Sequence, residues 1–143
     1  MAELRFGLEH VDFPLVHRWL TDSYWSPGIT LEKVKKAAAG SSLLVSAYVD
    51  GSQVGYLRVV SDGTTFAWVA DVWVDEPHRG QGIAQSMVNA ALEHPGHQGL
   101  RRWVLATRDA HRTYEACGFG PLPYPERWMV HFPEGSIDRQ KVK

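Results

Sequence analysis

Residues 74–84 read V-D-E-P-H-R-G-Q-G-I-A, and this stretch decides how the chain is organised. An apolar strand-like run ends at Val74, Pro77 marks a turn, and Arg79-Gly80-Gln81-Gly82-Ile83-Ala84 opens a helix at once. A helix that starts there leaves its first backbone N–H groups without partners inside the helix. Two glycines let another molecule approach that backbone, and the positive end of the helix dipole favours an anion. The stretch has what a phosphate or pyrophosphate cradle needs.

Working outward, the residues before the turn read as a meander. Leu43–Val49 alternates as a strand, Asp50-Gly51 is a hairpin turn, and Gln53–Val60 runs back. Ser61-Asp62-Gly63 turns the chain again into a long strand, Thr65–Val74, which delivers it to the cradle. After the cradle, Ile83 to His94 has helical spacing with Ile83, Met87, Ala90 and Ala91 on one face, ended by Pro95-Gly96. Arg102–Ala106 reads as a strand, Asp109–Cys117 as a short helix stopped by Gly118, and Arg127–Phe132 as a last strand. Upstream, residues 3–9 read as a strand and Val11 to Leu20 as a helix capped by Asp12. The loop from Asp22 to Gly28 carries Tyr24 and Trp25, and Thr30 caps a second helix that closes at Gly40. The order β-α-α-β-β-β-α-β-α-β places the chain in the α/β class.

The whole chain sets bounds on function. Its 143 residues suit one domain, taken as residues 1–134, with a polar tail G-S-I-D-R-Q-K-V-K over 135–143. A net charge of −1 gives no support to nucleic-acid or anionic-membrane binding, which leaves a basic excess. One cysteine, Cys117, excludes an internal disulfide, and the first residues lack a secretion-signal pattern, so a cytoplasmic location is expected. Six tryptophans and five tyrosines in so small a domain suit either an aromatic core or a lined pocket.

Three phosphate-binding motifs compete for the cradle. A dinucleotide fingerprint needs G-x-G-x-x-G, but Gln85 stands where the third glycine would be. A P-loop needs Gly-Lys-Ser/Thr after its loop, and none is present. The third is the Q/R-x-x-G-x-G/A acyl-CoA loop, which Arg79-x-x-Gly82-x-Ala84 satisfies. A second segment supports it: Thr107-Arg108-Asp109-Ala110-His111-Arg112-Thr113-Tyr114-Glu115-Ala116-Cys117-Gly118-Phe119 follows N-x-x-A-x-x-L-Y-E-x-x-G-F at Ala110, Tyr114, Glu115, Gly118 and Phe119. Thr107 and Thr113 depart from it, and Thr107 can still cap the helix. With both motifs, and the element order over nearly the whole chain, the sequence resembles the GNAT superfamily of N-acetyltransferases.

The resemblance implies a mixed, mostly antiparallel central sheet of about six or seven strands flanked by four helices. It implies that acetyl-CoA is the co-substrate and that acetyl passes directly to a primary amine of a small molecule or peptide. The backbone of Val72, Trp73 and Val74 would pair with the pantetheine arm, and the turn Arg79, Gly80, Gln81, Gly82, Ile83 and Ala84 would hold the pyrophosphate. Tyr114 would be the general acid that protonates the departing thiolate. Asp71, where some relatives place a carboxylate, is the candidate base; a structural carboxylate or a water relay is the alternative. The acceptor pocket is expected from Trp19, Asp22, Tyr24 and Trp25, with Trp68 and Trp128 as walls; a carboxylate among aromatics suits a cationic amine. Sheet-edge dimers are common among relatives, so a homodimer is a further expectation.

Other signals are discounted. His94-x-x-His97 has Pro95-Gly96 between its members and no third ligand, so no metal is expected. Cys117 reads as a small apolar residue on a helix face, and Lys33, Lys35 and Lys36 as a solvated one. Two rivals stay open: an acyltransferase for a longer acyl-CoA, and a non-catalytic acyl-CoA-binding module.

Overall fold

The computed structural model describes residues 2–136, so all of the expected polar tail beyond residue 136 lies outside the described residues. Five strands form one sheet in the order β1 (Glu3–Phe6), β2 (Leu43–Val49), β3 (Ser52–Ser61), β4 (Phe66–Val74) and β5 (Arg102–Val104). The first four are antiparallel neighbours, and β5 joins β4 in parallel. Asp50 and Gly51 turn β2 into β3 with φ of 50° and 79°, the left-handed pair a two-residue hairpin demands. Helices α1 (Phe13–Thr21) and α2 (Leu31–Ala39) connect β1 to β2, α3 (Ile83–Glu93) carries the crossover from β4 to β5, and α4 (His111–Glu115) follows β5. The expected caps form: Leu15 N–H donates to Asp12 Oδ1, and Lys33 N–H to Thr30 Oγ1, both at 3.2 Å.

Two hydrophobic cores divide the sheet's faces. Val45, Leu57, Val59, Ala67 and Val74 pack with Met87, Val88 and Ala91 of α3. Leu44 and Tyr56 pack with Val16, Trp19 and Leu20 of α1 and with Val34 and Ala38 of α2. Adjacent residues of β2 and β3 thus serve opposite cores, as the strand's two-residue period requires.

In β4 that period breaks. Arg58 pairs with Ala70 and Tyr56 with Trp73, so Asp71 and Val72 together oppose the single residue Leu57. Asp71 takes φ of 55°, a left-handed conformation that Asp tolerates better than most non-glycine residues. Before this bulge the odd residues Ala67 and Val69 face α3; after it the even residues Val72 and Val74 do. Trp73 is thereby turned into the core under α1 and α2.

One expectation is corrected. Arg127–Phe132 forms no strand: Pro125–Arg127 is a single 3₁₀ turn and the next residues join no ladder, so the sheet has five strands rather than six or seven. Met129 is 97% and Val130 71% exposed. Pro121, Pro123 and Pro125 alternate on the approach, each removing an N–H donor and fixing φ. β5 itself stops at Val104, so no long neighbour is there to pair with. Strand-like composition without a partner edge does not make a strand.

Gly55 sets how closely α3 lies on the sheet. A Cβ there would stand 3.0 Å from Met87 Cε and 3.1 Å from the Ala47 Cβ. Gly55→Ala is expected to cost about 1–3 kcal/mol of overpacking. Denaturant unfolding checks it; an unchanged midpoint and slope would show that α3 yields freely.

Candidate active site

The site begins with a divergence in the sheet. β5 pairs with β4 only at Phe66↔Arg102, Ala67↔Trp103 and Trp68↔Val104. Beyond Trp68 the pairing of β4 with β5 ends, so Trp73 and Val74 are laddered to β3 on one side and, like the bulge residue Val72, to no strand on the other. An open strand edge offers backbone donors and acceptors to any extended chain laid against it.

At the end of this edge stands the glycine turn. Gly80 and Gly82 both have φ of 78°, and a Cβ at either would meet nothing within 4 Å, so conformation rather than crowding calls for glycine. Gly82 is the N-cap of α3 and brings no capping side chain, leaving the first N–H groups of the helix for a ligand. The Arg79 Nε–H donates to the Val74 carbonyl at 2.8 Å, and its guanidinium lies 5.0 Å from the Trp73 ring centroid. Arg79 thus braces the strand-to-turn junction while keeping its charge beside the cradle. A cavity of about 420 Å³ runs along this surface, lined by Val72, Val74, Arg79, Gly80, Gly82, Ile83, Ala84 and Tyr114. It joins the anion cradle to Tyr114. His78, Gln85, Ala110 and Thr113 also line it. Helical spacing carries Thr113 to the wall beside Tyr114, whereas nothing local in the sequence separates His78 from ordinary turn surface.

The Tyr114 phenol sits where α4 meets α3. Thr107 Oγ1 accepts from Ala110 N–H at 3.0 Å and so organises the entry to α4. Phe119 packs edge-on to the Tyr114 ring at 6.2 Å. Burial, with smaller contributions from Tyr24, Cys117 and Asp109, pushes the Tyr114 pKa up to about 12, so the phenol keeps its proton at neutral pH. Burial also raises the Cys117 thiol, whose Sγ–H points to the Gln85 carbonyl at 3.8 Å, which is the opposite of what a thiol nucleophile requires.

Opposite the cradle, the α1–α2 loop reaches across the divergence. The Arg108 N–H donates to Tyr24 Oη at 2.8 Å, and the Arg108 guanidinium lies 4.0 Å from the centre of the Tyr24 ring. Tyr24 packs edge-on to Trp25 at 4.9 Å, and Trp25 lies 6.2 Å from Trp73. The Trp25 Nε1–H donates to Asp71 Oδ1 at 2.8 Å, while the Arg58 Nε–H donates to Asp71 Oδ2 at 2.6 Å. Asp71, named from the sequence as candidate base, is thus a 9% exposed carboxylate with both oxygens engaged. Arg58 escaped the sequence reading, although the hairpin register through Ser61-Asp62-Gly63 places it opposite Ala70, next to Asp71.

The remaining acceptor-pocket residues do not gather. Trp19 is 7% exposed and spent on the core under α1 and α2. Asp22 is the exposed C-cap of α1. Trp68 is 37% exposed and lies across from Val60, ahead of the bulge. Trp128 lies 5.6 Å from the Arg102 guanidinium, on a larger cavity of about 1400 Å³ along β5 that Tyr114 also lines. His94 and His97 are occupied structurally, the first accepting from Gly96 N–H and the second bonded to Ser42 Oγ. Among the described residues no group of three His, Cys, Asp or Glu side chains is arranged to hold a metal, and no helix is long and apolar enough to cross a membrane.

A mixed sheet whose pairing ends beside a glycine-rich helix start, with a phenol at the junction, defines an α/β fold with an anion cradle at its opening. The model of the Acetyltransferase (GNAT) family matches residues 7–119. A Xanthomonas campestris pv. campestris protein described as belonging to the GNAT family superposes with a TM-score of 0.85 at 39% identity, covering 94% of this chain and 96% of that one. A GNAT-family N-acetyltransferase of Escherichia coli, YhbS, crystallised with CoA, superposes with a TM-score of 0.65 at 25% identity over 83% of this chain and 68% of that one. A Gibberella zeae protein named as a candidate acetyltransferase is 40% identical over 60 residues, which is 40% of this chain and 33% of that relative's length. The chain belongs to the GNAT acetyltransferase family.

The state of the Tyr114 phenol is directly measurable. Ultraviolet difference titration of the native chain against Tyr114→Phe is expected to show the missing phenol ionising near pH 12. A phenol titrating at its ordinary value near 10 would mean that it is open to water.

Proposed function

We propose that this protein transfers the acetyl group of acetyl-CoA to the primary amine of a small molecule or peptide, by direct attack in a ternary complex. The observation that carries the reading is the cavity that connects the α3 cradle to Tyr114 along the open edge of β4. In it the pyrophosphate would rest on the N–H groups after Gly82, and the amides of the pantetheine arm would pair with Val72–Val74 as an added strand does. The family membership and the CoA complex of YhbS support this assignment. The amine nitrogen attacks the thioester carbonyl carbon, the C–S bond breaks, and the Tyr114 hydroxyl gives its proton to the leaving sulfur. The proton lost by the amine passes to water. A cytoplasmic setting belongs to the reading and is supported by the single cysteine.

A longer acyl group is the second reading, and one observation favours it. Tyr114 lines the larger cavity as well, whose walls include Trp103, Leu105 and Leu122. The partner we propose in assembly is a second copy of the chain, docked through the exposed Met129 and Val130. The argument is self-complementarity: one chain carries both that unpaired extended segment and the open edge of β5.

Acetyl-CoA is expected to raise the melting temperature, since it binds only the native state. CoA release is then read over a panel of primary amines, with acetyl-, propionyl- and octanoyl-CoA as donors. Tyr114→Phe should lower kcat about a hundredfold with the acetyl-CoA KM unchanged. Binding without release on any amine would replace the enzyme with a binding module, and faster release from octanoyl-CoA would select the longer donor. Met129→Asp should shift sedimentation from dimer to monomer; a wild-type monomer would remove the second copy.

A further inference from the structure

Asp71 joins three parts of the molecule that are distant in sequence. It is the left-handed residue of the β4 bulge, it holds the Arg58 guanidinium of β3, and it holds the Trp25 indole of the α1–α2 loop. A strand of unbroken period would turn residue 71 to the same face as Ala67 and Val69, toward α3. The bulge instead presents it to the opposite face, where Trp25 lies. The loop's other attachment is Tyr24 on the N–H of Arg108, in the segment that leads into α4 and Tyr114. Through these two adjacent residues the loop bridges the gap beyond the β4–β5 ladder, touching the bulge on one side and the segment before α4 on the other.

We infer that Asp71 is a positioning residue: its carboxylate clasps Trp25 and so fixes the loop that forms the acceptor side of the site. The clasp resists solvent because it is a charge-assisted hydrogen bond on a 9% exposed carboxylate, with Arg58 balancing the charge. It suits holding better than proton removal. One lone pair on each oxygen is already committed, to the indole N–H or to the guanidinium, and only the remaining ones are open to another donor. Arg58 is 21% exposed and makes a longer contact of 3.5 Å with Ser41 Oγ, so its ion pair with Asp71 is the shorter attachment. The consequence for specificity is direct: what the loop excludes or admits depends on where the Trp25 ring is pinned.

The acceptor half of this inference rests on the acetyltransfer reading, while the clasp itself is testable without turnover. In a ¹H–¹⁵N spectrum the Trp25 indole signal is identified by its loss in Trp25→Phe. In the native chain that N–H should be protected from hydrogen exchange, and Asp71→Gly should abolish the protection. Glycine accepts the positive φ, so this variant removes the carboxylate and keeps the bulge. Fast exchange of the Trp25 indole in the native chain, or unchanged protection in Asp71→Gly, would overturn the clasp whatever the enzyme does. Kinetics then separate the roles, using the panel amine that releases CoA fastest. Trp25→Phe and Asp71→Gly should each raise the KM of that amine about tenfold, the double variant should be no worse than either, and the acetyl-CoA KM should hold. The pH profile of kcat should keep its shape in Asp71→Gly. Loss of its ascending limb, with Trp25→Phe behaving as wild type, would make Asp71 the base and end the positioning role. If no amine releases CoA, the acetyltransfer reading fails and the exchange result still decides the clasp.

Discussion

The molecule is organised around the parting of β4 from β5 after Trp68. Three ladder positions hold the two strands together, and beyond them β4 is paired on one edge only. A strand edge without partners is costly wherever water is kept from it, because each unpaired N–H and C=O then forfeits a hydrogen bond. Here the open edge runs straight to a helix start whose own N–H groups are uncapped. Two sets of unsatisfied backbone donors thus line one cavity, and an extended ligand ending in phosphates would satisfy both.

The β4 bulge is the second constraint, and it acts on the opposite face. By placing two residues against Leu57 it exchanges which residues face α3 and which face α1 and α2. Val72 and Val74 stay beside the α3 cradle, while Trp73 goes to the other core and Asp71 meets Trp25. The cradle side and the α1–α2 loop side are thereby reached from neighbouring residues of a single strand. Gly55 completes the arrangement, because it lets Met87 and the rest of α3 sit close over the same stretch.

What was legible in the sequence was what is local. The Asp50-Gly51 turn, the Thr30 and Asp12 caps and the glycine turn each announce themselves within a few residues, and each forms as read. Tyr114 was named through the resemblance of residues 107–119 to the family segment, and it lines the cavity beside the cradle. The parity change in β4 was not legible, since W-V-A-D-V-W-V alternates acceptably in either phase and only pairing with β3 selects one. The partners of Asp71 were hidden for the same reason: Trp25 and Arg58 lie 46 and 13 residues away and meet it only once the sheet and loop are assembled. The last strand was misread because Met129 and Val130 have strand-like chemistry yet join no ladder among the described residues, where the edge strand β5 stops at Val104.

On the proposed acetyltransfer reading, the electrostatics around Asp71 and Tyr24 bear on which form of an amine is received there. A carboxylate among aromatic rings suggests capture of a cation, yet both features are already used by the protein's own cations. Asp71 is neutralised by Arg58, and the Tyr24 ring faces the Arg108 guanidinium. An ammonium entering this space would lose water without gaining an unpaired counter-charge from these groups, and that desolvation disfavours its charged form. The neutral amine loses less, and it is the only form with a lone pair to attack a thioester. On that reading, charges balanced in advance favour the reactive protonation state by solvation alone, which lessens the need for a dedicated base beside the nucleophile.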